Sequence, residues 1–233
     1  MKSKSGSKAK PKSKGKVVKG EKRIIVGWHM KTDKCPHKNK SIAVEPIRDV
    51  KHVRRIMKML SDNRRNFALF VLGIHTNLRA SDLLKLQYRD VVETDKTIVD
   101  GFSIREKKSK KIKYIPLHSI TKKALMGLLP TNGSPIDMDA LLFPSRKINQ
   151  DGDRQMSVIA LHGLVKQWCK QAGLKGHYGS HTMRKTFAYR ALKTGMRIDI
   201  LMQMLNHSSM ASTLRYTGTT KEDIEQATLQ VRF

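Results

Sequence analysis

Four short stretches of the chain hold side chains that suit work on an anion. In "HTMR", His181 and Arg184 sit at the start of a predicted helix, and their three-residue offset puts both on one face. An imidazole and a guanidinium at a helix start make an anion cradle, because arginine brings a bidentate fork and the helix end adds partial positive charge. His-x-x-Arg alone recurs by chance. "NLRASDLL" places Arg79 just after an apolar helical segment, with Asp82 three residues on and able to hold the guanidinium's orientation. Taken alone, that is a structural Arg–Asp pair. "REKKSKKIKYIPL" is a lysine-rich turn between two strands, most of whose lysines are solvated, although one could lean over a phosphate. "HSSMASTLRY" sets His207 nine positions ahead of Tyr216 across a run without acids. By itself it reads as a surface helix ending in tyrosine.

The bulk composition narrows the partner. The chain has 233 residues, room for one large domain or two small ones, and is long enough to bury a real core. With 39% hydrophobic residues and a mean hydropathy of −0.48, it reads as soluble and globular. A net charge of +28 is most simply that of a surface that meets nucleic acid, an anionic membrane being the other option. No stretch approaches the ~18 apolar residues of a spanning helix, and no apolar run follows the basic N-terminus. Cys35 and Cys169 give no disulfide framework, which fits a reducing cytoplasm. The chain has neither G-x-x-x-x-G-K-[ST] nor H-E-x-x-H, and its carboxylates are too sparse for a two-metal centre. His29, Cys35 and His37 lack the paired spacing of a structural zinc site. Neither a metal nor a cofactor is expected.

Certain elements must position these residues. Residues 1–23 alternate lysine with Ser, Gly, Ala and Pro, and cannot bury enough apolar surface to offset the entropy of ordering. They read as a disordered basic tail that tethers phosphate without regard to sequence, and 24–45 as a linker or ordered arm. From Pro46, Ile47, Val50, Val53, Ile56, Met57 and Leu60 fall at helical spacing. "NRRNFALFVLGIHT" is apolar nearly all round, as a buried helix is, and Asn77 suits a left-handed helix end before a new short helix near Ser81. "KTIVDGFSIRE" and "KIKYIPL" form a β-hairpin. Helices follow at 119–129, at 157–172 after Ser157, and at 181–194 ending on Gly195, with two short ones in 198–216. The fold class is mainly α with a small antiparallel β-sheet.

Taken together, Arg79, a hairpin lysine, His181-x-x-Arg184, His207 and Tyr216 resemble, in order and spacing, the tyrosine recombinase (phage integrase) family. The first box is similar to Gly-Leu-Arg-x-x-Glu-Leu-x-x-Leu and stands here as "TNLRASDLLKL". The second, His-x-x-Arg and a helix, stands as "HTMRKTFAYRALKTG". The third, Leu-Gly-His-x-x-x-x-Thr-x-x-x-Tyr, stands as "LNHSSMASTLRY". The family's lysine usually lies eight residues before the proline of an x-Pro-Leu strand, which selects Lys108 ahead of Pro116, although a flexible hairpin could deliver Lys107, Lys110 or Lys111 instead. Among the departures, Asn206 and Asn77 replace glycine, and Asp82 replaces glutamate. The resemblance covers residues 46–218 and implies the integrase catalytic-domain fold. Since 45 residues precede Pro46, too few for the family's helical core-binding domain, the expectation is a minimal, catalytic-domain-only form.

The residue types fit phosphodiester attack, which needs a nucleophile, charge stabilisation and proton management. Tyr216 supplies a hydroxyl whose pKa clustered cations would lower. Arg79 and Arg184 grip the non-bridging oxygens, with Asp82 in support. His181 accepts the tyrosine proton, His207 hydrogen-bonds the phosphate and Lys108 protonates the departing 5′ oxygen. The resemblance implies a 3′-phosphotyrosine intermediate, no metal or nucleotide, double-stranded DNA as partner, self-association as a tetramer on DNA, and a cytoplasmic, DNA-associated protein. Two rival readings are a helix-turn-helix DNA-binding regulator built on residues 184–209 with Gly195 in the turn, and a type IB topoisomerase-like nicking-closing enzyme. Residues 218–233 form a C-terminal segment that docks on a neighbouring protomer or caps its own domain.

Overall fold

The computed structural model describes residues 43–94, 96–106, 111–132, 134–148, 152, 154–219, 223, 225 and 229. The 1–23 tail, most of the 24–45 arm with His29, Cys35 and His37, the turn residues Lys107, Lys108 and Lys110, and most of 218–233 lie outside them. Of the arm, the described end joins the fold through the Glu45 N–H, which donates to the His177 carbonyl at 2.7 Å.

The described residues form eight α-helices and one two-stranded antiparallel sheet. Helix α1 (Val50–Leu60) begins where the Asp49 carboxylate accepts from the Lys51 N–H. Periodicity alone predicted a start nearer Pro46. Instead Pro46 and Ile47 precede the helix, because the Ile47 N–H is taken by the Thr186 hydroxyl at 2.8 Å and Asp49 provides the cap. Helix α2 (Arg64–His75), capped by Asn63, is the core of the domain: Ala68 through Leu72 are fully buried. Each large aliphatic or aromatic side chain so buried contributes roughly 1.5–3 kcal/mol. Asn77, at φ 54°, turns the chain in the left-handed region after α2 and launches α3 (Ala80–Leu83).

Strand β1 (Gly101–Arg105) pairs with β2 (Ile112–Pro116), so that Phe102 faces Ile115 and Ile104 faces Lys113. The strand is shorter than predicted, since Ile98 bridges back to Val92 instead of extending the hairpin. Helix α4 (Ser119–Met126) also stops earlier than 129, at Gly127. Helix α5 (Val158–Gln171) starts where Ser157 Oγ accepts from the Ala160 N–H. Helix α6 (Thr182–Lys193) ends before Gly195, whose φ of 86° suits glycine. Helices α7 (Ile198–Leu205) and α8 (Met210–Thr217) follow.

Close packing fixes α6 against α2: a Cβ on Gly73 would overlap the Met183 thioether. Helices α6 and α7 share a second apolar cluster of Ala188, Ala191, Leu201 and Leu205, against which the Tyr216 ring packs. These contacts carry sequence-distant residues to one place.

Candidate active site

Arg79 is the N-cap residue of α3, with an extended backbone and no side-chain bond to the helix end. Its Nη1 lies 2.7 Å from Glu106 Oε2, and that carboxylate is buried. The sequence offers Asp82 as a residue able to hold the orientation of Arg79. The structure adds Glu106 against Arg79, and the equally buried Asp82 also acts electrostatically on Arg184 and raises its pKa. Glu106 was missed because it stands at the edge of the lysine-rich turn, where an acid reads as solvated.

Arg184 lies in the first turn of α6 and is only 4% exposed. Its Nη2 donates to the Leu205 carbonyl at 3.0 Å, at the end of α7. Burial lowers its pKa, with Arg79 adding to the effect and Glu106 and Asp82 opposing it. His181 is the N-cap residue of α6 but makes no side-chain cap bond, so its ring remains available to the cavity. Burial first, then Arg184, Lys185 and Arg79, hold its pKa below 6.5. The imidazole is therefore neutral at pH 7 and able to accept a proton.

His207 follows Asn206, which adopts φ 57° and ends α7. The His207 N–H closes the helix end by donating to the Met202 carbonyl at 3.0 Å. Its Nδ1 lies 3.0 Å from Thr213 Oγ1. That hydroxyl has one proton and two acceptors in reach, His207 Nδ1 and the Ser209 carbonyl at 3.3 Å; only when it turns to Nδ1 does the imidazole proton sit on Nε2 and give an anion a donor. Thr213 also escaped sequence reasoning, although its buried position one turn before Tyr216 is where a hydroxyl can reach the histidine.

Tyr216 meets His207 edge to face, with ring centroids 5.1 Å apart, and the Lys185 ammonium lies 5.2 Å from its ring centre. Clustered cations were expected to lower its pKa. The structure corrects this: Arg184 and Arg79 do pull it down, but burial outweighs them and the phenol stands above its usual 10. Arg184 acts on it both through its charge and through a side-chain contact that falls short of a well-aligned hydrogen bond. Arg79, His181, Arg184, Leu205, Asn206, His207 and Tyr216 line one cavity of about 400 Å³. Among the described residues, Arg184 Nη1 and Tyr216 Oη are buried there without a hydrogen-bond partner. Lys108, expected to complete the set, lies outside the described residues.

Lys113 was missed altogether. It lies on β2, donates to the Met204 carbonyl at 2.9 Å, and has its pKa lowered to about 8 by burial and by Arg184 and Arg79. A signal existed: it is in phase with the buried Ile115 on a strand whose other face carries exposed Ile112 and Tyr114.

The described residues hold no group of three or more His, Cys, Asp or Glu placed to bind a metal ion, and no helix long and apolar enough to cross a membrane. The helix-turn-helix reading leaves Arg79 and Tyr216 as coincidence, whereas the structure brings both into one cavity with Arg184.

A basic α-helical domain that gathers two arginines, two histidines and a tyrosine around one pocket is the catalytic domain of a DNA strand transferase. The chain belongs to the phage integrase family, the tyrosine recombinases, whose model matches residues 48–223. It is 30% identical over 189 residues to the probable integrase/recombinase YoeC of Bacillus subtilis (strain 168), covering 81% of this chain and 96% of that protein. It is 25% identical over 181 residues to the tyrosine recombinase XerA of Thermococcus onnurineus (strain NA1), covering 77% of this chain but 60% of the relative. In fold it is similar to the XerH site-specific recombinase bound to palindromic difH substrate in a post-cleavage complex, with a TM-score of 0.60 and 19% identity over 83% of this chain and 54% of that one.

Proposed function

We propose that this protein cleaves and rejoins double-stranded DNA at specific sites through a 3′-phosphotyrosine intermediate. The observation that carries the reading is the pair of buried, orphaned polar atoms, Arg184 Nη1 and Tyr216 Oη, in one cationic cavity. A buried guanidinium N–H normally finds a partner, and a phosphate oxygen beside Tyr216 supplies one.

In this reading Tyr216 Oη attacks the scissile phosphorus as its proton passes to neutral His181. The bond from phosphorus to the 5′ oxygen breaks, and Lys108 protonates that oxygen. Arg79, Arg184 and His207 Nε2 hold the non-bridging oxygens, whose charge grows in the transition state. Attack by a 5′ hydroxyl on the phosphotyrosine reverses each step and reseals the strand. The phosphotyrosine link conserves the bond energy, so the cycle requires no nucleotide. Bringing a phosphate beside Tyr216 also counters the burial of Arg184, because it adds an anion to a site rich in cations.

In our reading residues 46–217 are the catalytic domain and the 1–23 tail adds affinity by touching phosphates non-specifically. Strand exchange needs four cleavage centres, which a tetramer on DNA would provide. The 218–233 segment is the candidate for contact between protomers, although Asp223 has partners nearby in its own domain: it pairs with Lys193 at 2.7 Å and Arg48 at 3.5 Å.

The test is to trap protein on nicked suicide duplexes, sequence the attached DNA ends and map the modified residue. Adducts at a defined sequence on Tyr216, with recombinant junctions from paired sites, are expected. Relaxed plasmid without junctions would indicate a topoisomerase-like activity instead, and no adduct on any duplex would refute the reading.

A further inference from the structure

Strand β2 breaks its own pattern. Ile112 and Tyr114, apolar or aromatic, are 67% and 60% exposed, whereas Lys113 takes the inward face in phase with Ile115. A strand with one buried face places its apolar residues inward, so a lysine there needs a reason. Its ammonium reaches across to α7 and donates to the Met204 carbonyl at 2.9 Å. The same carbonyl accepts from Asn77 Nδ2 at 2.9 Å, and the next one along, on Leu205, accepts from Arg184 Nη2 at 3.0 Å. The last carbonyls of α7 thus gather three donors from three separate parts of the chain, helped by the negative end of the helix dipole. One donor leads directly to the Arg79 turn, one is Arg184, and the carbonyls sit just before Asn206 and His207.

We propose that Lys113 is a positioning residue of the strand-transfer site, its ammonium tying the β-hairpin to the C-terminal turn of α7 and so setting Arg184 and His207 against the scissile phosphate. The inference rests on the strand-transfer reading given above. Lys113 lies in a cavity of about 660 Å³ between hairpin and α7, which shares Asn206 and His207 with the phosphate pocket. Glu106 and Lys111 face it from the hairpin, Asp199 and His207 line the cavity from α7 and beyond, and Arg79 and Arg184 act on it from the pocket side. Burial and the two arginines lower its pKa to about 8, while Glu106 opposes them. The tie therefore weakens as pH rises through about 8, because a neutral amine keeps a weaker donor and no charge.

The experiment compares wild type, Lys113→Arg and Lys113→Met in single-turnover adduct formation at subsaturating duplex, which reports the DNA-free protein's ionisations. Each runs from pH 6 to 10 on ordinary DNA and on DNA with sulfur at the bridging 5′ position. A misplacement of catalytic groups on the ångström scale costs about a hundredfold, so Lys113→Met should fall by about that factor at neutral pH, with duplex affinity little changed. Sulfur should leave that deficit in place, since the lesion is geometric and not a missing proton. The ratio of wild-type to Lys113→Met rates should shrink as pH rises through about 8, while Lys113→Arg keeps a pH-independent share of the activity. Wild-type rates in Lys113→Met overturn the proposal. Rescue of Lys113→Met by sulfur also overturns it, because Lys113 would then be the proton donor. A Lys113→Arg variant no better than Lys113→Met, at equal thermal stability, does the same. If wild type itself forms no adduct, the strand-transfer reading falls and this inference falls with it.

Discussion

Replacing Arg184 by lysine keeps a positive charge yet should nearly abolish cleavage. The guanidinium serves two partners at once. Nη2 holds the Leu205 carbonyl at 3.0 Å, and Nη1 is left over for an anion in the pocket. An ammonium concentrates its donors on one atom at the end of a flexible stem and cannot span both. If it keeps the carbonyl it gives up the phosphate, and if it takes the phosphate the end of α7 loses a tie. Losing one preorganised donor to developing charge costs roughly 2.7–4 kcal/mol, or about a hundred- to a thousandfold in rate. A second effect acts in the same direction. Burial already lowers the pKa of Arg184 from 12.5. A lysine starts near ~10.4, so the same burial brings it far closer to working pH. Arg184→Ala should be slower still, because it removes the charge as well. Single-turnover adduct formation on a nicked suicide duplex measures this, with duplex affinity determined separately. The reasoning fails if Arg184→Lys cleaves within about threefold of wild type, a difference under about 1 kcal/mol.

Tyr216→Phe should bind duplex normally, form no adduct and unfold at an equal or higher temperature, since it deletes a buried hydroxyl that has no hydrogen bond; adduct remapped to Tyr178 or Tyr189 would move the nucleophile. Removing residues 1–23 should weaken binding to all sequences alike and flatten the log–log salt dependence by about 0.9 for each phosphate the tail had neutralised, whereas an unchanged slope means the tail does not touch DNA. Gly73→Val should destabilise the fold by about 1–3 kcal/mol through overpacking against Met183, read from urea midpoints. His75, His181 and His207 all have lowered pKa values, each chiefly from burial. Folding then opposes their protonation, so stability present above pH 6.5 should be lost as pH falls through the folded-state values. Thermal unfolding between pH 8 and 5 checks this, and a melting temperature flat down to pH 5 would contradict it.

Much of this site was legible in the sequence because its parts are local. Asn77 announces a left-handed turn and Asn206 stands where the family has glycine, and both adopt left-handed backbone, at φ 54° and 57°. The three-residue offset of His181 and Arg184 puts both in one pocket because α6 starts between them. The spacing from His207 to Tyr216 works because Ser209 caps α8 and the helix carries the ring back toward the histidine. What escaped were side chains whose surroundings come from elsewhere in the chain. Glu106 looks solvated until the fold sets it on Arg79. The pKa of Tyr216 was misjudged because charge can be counted along a sequence, while burial against Ala188, Ala191 and Leu201 cannot. The early start expected for α1 failed for the same reason, since a threonine 139 positions away holds the Ile47 N–H.

The end of α7 explains why boxes so far apart in sequence keep a fixed geometry. A helix leaves its last carbonyls without intrahelical partners, and in a buried setting each must find a donor. Here those partners are Asn77, Lys113 and Arg184, so meeting a backbone requirement also fixes the first arginine turn, the hairpin and the second arginine. Dedicated acidic side chains could have oriented these cations, but each would add negative charge beside a site meant for phosphate. Carbonyl oxygens orient the same groups with only partial charge, leaving Glu106 and Asp82 as the buried acids against Arg79 and Arg184. The arrangement stays cationic enough to favour an incoming phosphate, while backbone oxygens hold Lys113 and Arg184 in place.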